Sequence, residues 1–273
     1  MQHGTTRRAP DPSVSFSVPL HNLPNSDVRS SSRMHFKVLA TDYDGTLAWN
    51  GAVARATVES LDALRDTGRH LVLVTGREIE DLRAVFDRLD LFDLVVAENG
   101  AVLYRPLDGR IKLLAEPVPA LFVEGLRARN VTPLSVGHVL VATMEPHEIT
   151  VVKLIRDLGL ELQVIFNKGA VMILPSGINK ASGLKAGLRE IGLSIEETVG
   201  VGDAENDHGL LEICACGVAV ENALPMLKEH ADLVTRYPNG RGVQELIDHL
   251  IENDLADIPS RRRLRKPVEI NSP

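Results

Sequence analysis

Two aspartates stand two residues apart in Asp42-Tyr43-Asp44-Gly45-Thr46-Leu47, directly after a short apolar run at residues 35–41. If that run is a strand, the i, i+2 spacing aims both carboxylates the same way while the chain stays extended. In an open α/β sheet, ligands sit beyond the carboxyl ends of the strands, which is where this pair falls. Asp-Gly is also a common turn pair, so a plain turn is the competing reading. A second stretch, Thr75-Gly76-Arg77, follows another apolar run. A hydroxyl and free amides at a helix N-terminus suit an anion such as phosphate, and ordinary capping by Thr75 explains the same residues. Lys180 opens a helical stretch, a place where a lone lysine is most often just solvated. The fourth stretch, Gly202-Asp203-Ala204-Glu205-Asn206-Asp207, offers three carboxylates and an amide within five positions. Hard cations such as Mg²⁺ take oxygen ligands; the alternative is a helix start rich in capping carboxylates.

The elements that must position these groups alternate along the chain. Residues 70–74 form a continuous apolar run, as expected of a parallel strand buried on both faces. Residues 54–66 have helical spacing with Val58, Leu61 and Leu64 on one face, and Gly68 stops them. Residues 78–89 read as helix and 94–97 as a third strand. After residue 180 the rhythm resumes: helix 180–191, strand 198–201, helix 206–213, strand 217–220, helix 224–230 and a last helix at 242–251. Strand, helix, strand in this order means right-handed crossovers and a parallel sheet with helices on both faces. Residues 103–178 break the rhythm. They read as helix 119–129, strands 132–136 and 138–144 around Gly137, helix 146–158, then strands 161–166 and 170–174 around an Asn-Lys-Gly turn. That pattern suggests a small sheet with helices on one face, inserted into the parallel core.

No one of the four stretches decides the chemistry; their order and their placement at strand and helix ends do. Together, over residues 35–255, they resemble the haloacid dehalogenase superfamily of phosphatases, and within it the Cof-like group with a sheet-based cap. Glu98-Asn99-Gly100-Ala101, just before the insert, also resembles that group, and the sizes of core and cap are similar to those of archaeal-type phosphoglycolate phosphatases. The resemblance implies an α/β fold: a Rossmann-like parallel sheet core with an inserted α+β cap domain that closes over the site. The expected division is a disordered extension at 1–34, a core at 35–102 and 179–255, a cap at 103–178 and a basic tail at 256–273. Met34 is a candidate true start.

The resemblance also implies roles. Asp42 corresponds to the nucleophile that takes the phosphoryl group as an aspartyl-phosphate, and Asp44 to the acid that protonates the leaving alcohol and then activates water. Thr75, Gly76, Lys180 and Asn206 correspond to phosphate binders. Asp203 corresponds to a Mg²⁺ ligand that joins Asp42 and the backbone carbonyl of Asp44, with Asp207 and Asn206 completing the metal shell or holding the phosphate. The implied activity is Mg²⁺-dependent hydrolysis of a small phosphorylated metabolite, 2-phosphoglycolate or a sugar phosphate. A phosphotransferase or phosphomutase on a sugar phosphate is the first rival, because Asp44 serves both chemistries. A non-catalytic regulatory module is the second, and the presence of Asp42, Asp44 and Lys180 speaks against it.

Physics is consistent with these roles. Two carboxylates about 4 Å apart repel by roughly 4 kcal/mol at an effective dielectric near 20, so Asp42 and Asp203 need cations beside them. Phosphate-monoester hydrolysis requires acceleration of up to about 10²¹-fold, and general acid–base help supplies only about 10² to 10⁴ of it. Charge stabilisation and in-line positioning must supply most of the rest.

Other features carry less. Cys214 and Cys216 read as small core residues rather than a redox pair. Trp49 follows the first stretch and suits either the mouth of the site or a packing place against the cap. His138, His147, Asn167 and Lys168 fall in or near cap turns, where surface placement is the default.

Composition sets the outer limits. Of 273 residues, 44% are hydrophobic and 25% charged, which excludes collagen-like, disulfide-rich and wholly disordered chains. Apolar runs fall short of the roughly 18 residues of a membrane span. Lys plus Arg number 30 against 37 Asp plus Glu, a net charge of −7, a poor balance for binding nucleic acid, which needs a basic face. Arg261, Arg262, Arg263, Arg265 and Lys266 cluster in the last segment and read as a solvated tail. Two cysteines and no signal-peptide pattern make a reducing cytoplasm the expected compartment. Nothing in the sequence sets an oligomeric state.

Overall fold

The computed structural model describes Met1 and residues 34–256. The expected N-terminal extension and most of the expected basic tail lie outside the described residues. From residue 34 the elements run in order as β1 (Val38–Thr41), β2 (Ala48–Trp49), β3 (Ala52–Val53), α1 (Arg55–Asp66), β4 (His70–Val74), α2 (Ile79–Val85) and β5 (Leu94–Ala97). A hairpin, β6 (Val102–Arg105) and β7 (Arg110–Leu113), follows. Then come α3 (Ala120–Ala128), β8 (Ser135–Val136), β9 (Val141–Met144), α4 (Glu148–Asp157), β10 (Leu162–Asn167) and β11 (Ala170–Pro175). The described residues continue with α5 (Lys180–Glu190), β12 (Thr198–Gly202), α6 (His208–Ile213), β13 (Cys216–Ala219), α7 (Pro225–His230), β14 (Leu233–Val234) and α8 (Asn239–Asn253).

One sheet holds eight strands in the order β14-β13-β12-β1-β4-β5-β6-β7. The six from β14 to β5 are parallel. β1, β4, β5, β12 and β13 are buried along their length apart from His70, as their near-continuous apolar sequences require. The chain fills one side of β1 with β4 and β5, then returns to place β12 on the other side. The order therefore reverses at β1, and the crevice at its carboxyl end is where ligands collect in such sheets. A second sheet, antiparallel and ordered β10-β11-β9-β8, carries α3 and α4 and has an apolar core of its own built around Phe122, Leu126, Val151, Leu154, Val171 and Ile173. The α/β core with an inserted α+β cap is thus the architecture expected from sequence.

Several local expectations are corrected. Residues 103–113, expected at the start of the cap, lie in the hairpin of β6 and β7, which extends the main sheet in antiparallel fashion. All four residues of β7 are exposed, so no apolar run marks it as a strand. The expected strand at 132–136 shrinks to Ser135–Val136. The helix expected over 78–89 ends at Val85, where Phe86 turns extended and sends its ring into the core. The two-residue hairpin β2–β3 carries no readable periodicity and lifts Trp49 into solvent at 64% exposure. Cys214 and Cys216 are buried, as core residues should be. No helix among the described residues is long and apolar enough to cross a membrane.

α5 is set by a capping box in which the Asn179 side chain and Ser182 exchange hydrogen bonds, so Lys180 becomes its first residue. Gly183 then lets the helix lie against the chain after β5: a Cβ there would sit 2.5 Å from the Gly100 Cα and 2.7 Å from its carbonyl oxygen. Gly183→Ala is expected to cost about 1–3 kcal/mol through overpacking. A denaturant titration checks this, and a midpoint equal to wild type would contradict the tight seating of α5.

Candidate active site

Asp42 is the first residue past β1, and its amide donates to the Val201 carbonyl of β12 at 3.0 Å, so it stands over the crevice between the two strands. Lys180, 1% exposed, donates to Asp42 Oδ1 at 2.5 Å and to Asp207 Oδ1 at 2.6 Å. The other Asp207 oxygen accepts the backbone N–H groups of Asp203 (2.9 Å) and Ala204 (3.0 Å). Asp207 thus folds the loop after β12 onto itself and presents Asp203, whose Oδ1 accepts from the Thr46 hydroxyl at 3.2 Å. Carboxylate oxygens of Asp42, Asp203 and Asp207 lie within 4.8 Å of one another.

The Asp44 carboxylate is gripped by Arg77, Nε to one oxygen at 2.6 Å and Nη2 to the other at 2.8 Å. Its backbone carbonyl accepts from the Lys168 ammonium at 2.6 Å, and the same ammonium lies 2.8 Å from Asp203 Oδ2. Lys168 sits in the turn between β10 and β11, so the cap sends one cation into the crevice of the core. Thr75 is buried and its hydroxyl oxygen accepts from the Arg77 N–H at 3.1 Å, which leaves the hydroxyl proton available to donate. Gly76 follows, with Asn206 beside it; a Cβ on Gly76 would lie 3.8 Å from Asn206 Nδ2. That amide nitrogen donates to Asn99 Oδ1 at 3.0 Å, while buried Asn206 Oδ1 and Asn99 Nδ2 have no partner among the described residues.

The crevice therefore brings together Asp42, Asp44, Lys180, Asp203, Asp207, and the Thr75, Gly76, Asn206 group beside them. Of the cap residues singled out in sequence, Lys168 arrives here. His138 instead faces Glu98, and His147 bonds the Thr132 carbonyl. Arg77, Thr46 and Asn222, whose amide donates to the Gly45 carbonyl at 2.8 Å, were not anticipated. Arg77 and Thr46 were visible as parts of their motifs; Asn222 has no signal in the sequence.

Charge explains why these groups tolerate one another. Burial pushes the Asp42 carboxyl up to about 7, against the pull of Lys180 and with Asp207 and Asp203 adding to the rise. Burial also raises Asp203, opposed by Lys168. Burial lowers Lys180, but Asp207 and Asp42 outweigh it and hold the ammonium above the ordinary lysine range. The all-oxygen donor set fits a hard divalent cation, and the Lys168 ammonium, bridging the Asp44 carbonyl and Asp203, is a stand-in that marks where positive charge is accepted.

The sign of one pH effect follows. A carboxyl raised from 3.8 to about 7 in the fold stabilises the metal-free protein below its unfolded range, and that contribution is lost as pH rises through about 7. A divalent cation held by these oxygens would compete with protons for them, so a rise in melting temperature on adding Mg²⁺ would be larger at about pH 8 than at about pH 5.5. Calorimetric scans in chelator and in Mg²⁺ test this; equal shifts at both pH values would contradict it.

The family model of haloacid dehalogenase-like hydrolases matches residues 39–114 and 135–247. A phosphoglycolate phosphatase of Archaeoglobus fulgidus is 30% identical over 221 residues, covering 78% of this chain and 96% of its own. One from Methanothermobacter thermautotrophicus is 29% identical over 222 residues, covering 77% and 97%. The solved structure of a haloacid dehalogenase-like hydrolase from Bacteroides thetaiotaomicron superposes with a TM-score of 0.68 at 21% identity, covering 79% of this chain and 99% of that one. With its core, its cap and its crevice of aspartates in place, the chain belongs to the haloacid dehalogenase-like hydrolase family.

Proposed function

We propose that the protein is a Mg²⁺-dependent phosphatase of small phosphorylated metabolites and that 2-phosphoglycolate is its first-choice substrate. One observation carries the reading: Asp42 is held against Lys180 at the carboxyl end of β1, while Asp203 and the Asp44 carbonyl converge on a single cationic position beside it.

Asp42, Asp203 and the Asp44 carbonyl are the residues that hold Mg²⁺, with Asp207 adding charge behind them. When bound, the ion supplies positive charge to the phosphoryl oxygens. An Asp42 oxygen attacks phosphorus as the bond to the leaving oxygen breaks, and Asp44, protonated once its carboxyl has left Arg77 for the substrate, gives that oxygen its proton. Asp44 then takes a proton from the water that attacks the aspartyl-phosphate, releasing phosphate and restoring Asp42. In this structure Arg77 holds the Asp44 carboxylate in its ionised, parked position. The Lys180 ammonium, the Thr75 hydroxyl, the Gly76 amide and the Asn206 side chain bind the phosphate oxygens.

Substrate size and charge follow from the cap. An inserted domain over the crevice favours molecules small enough to be enclosed. Among the described cap residues Phe122 is buried in the cap core and Tyr104 belongs to the main sheet, which leaves the exposed Phe166 of β10 as a single ring rather than a platform of several. Lys168, once released from the Asp44 and Asp203 oxygens, is the cap's cation for a substrate carboxylate. The names of the archaeal relatives support the same choice.

Asp42→Asn keeps the shape and removes the nucleophile; phosphate release should fall by about 10³-fold or more, and retention of roughly a tenth of turnover would rule out the aspartyl-phosphate route. Lys168→Met should lower kcat/KM for 2-phosphoglycolate by about 10- to 100-fold, the worth of a charge-assisted hydrogen bond, and change ethyl phosphate little. Both belong in a Mg²⁺-supplemented phosphate-release panel that includes a hexose phosphate, a nucleoside monophosphate and a phosphopeptide. A nucleotide or peptide winning by tenfold would sink the size argument.

A further inference from the structure

Past β5, Glu98, Asn99 and Gly100 all take positive φ, at 49°, 55° and 104°. For Glu98 above all such a conformation is strained and persists only where the surroundings over-determine it. Here they do. The Glu98 carboxylate is 0% exposed; Oε1 accepts the His138 N–H at 2.8 Å and lies 3.1 Å from that residue's Nδ1. Oε2 accepts the Val139 and Leu140 N–H groups, both at 2.8 Å. Three successive backbone amides of the cap thus close on one carboxylate of the core, a nest that suits an anion. Gly137 makes room for it, since a Cβ there would lie 2.7 Å from the Glu98 carboxyl carbon. The same turn touches the phosphate side of the crevice. Glu98 N–H donates to the Arg77 carbonyl at 3.0 Å, Asn99 N–H to the Thr75 carbonyl at 2.9 Å, and a Cβ on Gly100 would stand 2.0 Å from the Asn179 carbonyl oxygen, one residue before Lys180.

The nest is also where the chain passes from one apolar core to the other: Val139 and Leu140 pack in the main core, and Val141 in the cap's. β9 begins at that point. Its first residue pairs with Ile173 and its last, Met144, with Ala170, and Glu145 N–H then donates to the Gly169 carbonyl at 3.0 Å, next to Lys168. β9 is therefore a short rod, roughly 13 Å long at strand rise, with Glu98 at one end and the Lys168 turn at the other.

We propose that Glu98 is a positioning residue for Lys168: it is the fixed pivot of the cap, and β9 transmits its position to the ammonium that enters the crevice. The inference rests on the reading of Lys168 as the substrate-facing cation. A tilt at the pivot displaces the tip, and a misplacement of about 1 Å at a reacting site can cost about 10²-fold. A glutamine would turn an NH₂ toward one of the three amides, so even a neutral isostere disturbs the seat.

The test uses the full chain with Mg²⁺ and the variants Glu98→Gln, Lys168→Met and the double substitution. With Lys168 present, Glu98→Gln is expected to lower kcat/KM for 2-phosphoglycolate by about tenfold or more; in the Lys168→Met background it should change it less than about twofold. Equal losses in both backgrounds would mean that Glu98 is a structural staple and overturn the pivot. Hydrogen exchange gives a readout that needs no substrate: Glu98→Gln should speed exchange at 138–140 and also at Glu145, leaving β1 and β12 protected. Faster exchange confined to 138–140 would likewise overturn the proposal. If 2-phosphoglycolate is not turned over by any variant, the substrate reading fails while the exchange pattern still decides the pivot. Gly137→Ala, which keeps the charge and crowds the carboxylate from the cap side, should give the same pattern at smaller amplitude, and guards against a Glu98 variant that does not fold.

Discussion

A buried ammonium between two buried carboxylates is the constraint around which this protein is arranged. Lys180 contacts Asp42 and Asp207, all three nearly inaccessible to water. Removing one partner of such a set leaves an uncompensated buried charge, which costs about 3–5 kcal/mol. The three residues must therefore arrive together, and the fold ensures that they do. β1 is the central strand, β12 is its neighbour on one side, and the capping box of Asn179 starts α5 one residue before the lysine is needed. The balance is deliberately short of positive charge. Lys180 serves Asp42 and Asp207, Arg77 serves Asp44, and Asp203 is left to whatever cation reaches it. In this structure Lys168 fills that role, from a turn that belongs to a different apolar core.

Much of this was legible before any coordinates, for a definite reason. Parallel strands buried on both faces are written as unbroken apolar runs, and their carboxyl ends are where ligands bind, so Asp42, Thr75 and Asp203 could be placed by reading where runs such as 70–74 stop. Lys180 could be placed in order but not in charge: that it is buried depends on Asp207, 27 residues later. The grip of Arg77 on Asp44, across 33 residues, and the reach of Lys168 to Asp44, across 124, depend on side-chain direction and on how the cap sits, neither of which a pattern of residue types encodes. Glu98 was noticed as part of a motif, and its partners, main-chain amides, have no sequence signature at all.

The errors in the fold have a common cause as well. β7 is exposed at every position, β2, β3, β8 and β14 have two residues each, and α2 ends without a glycine or proline to mark the stop. Periodicity detects elements that bury a face; these bury too little, or are ended by a tertiary contact such as that of Phe86. Propensity and pattern lose to packing at such places.

The hairpin that closes the main sheet bears on self-association. An outermost strand offers unpaired amides and carbonyls, a template on which another chain can add a strand. β7 is that strand on one side of the sheet, and it carries Arg110 and Lys112, with Lys112 tied to Glu190 of α5 and the hairpin turn pinned by Arg105 and Asp108. At the opposite side β14 is two residues long. Among the described residues, one border of the eight-stranded sheet is thus guarded by charge and the other by brevity, and neither offers a long neutral edge to a second strand.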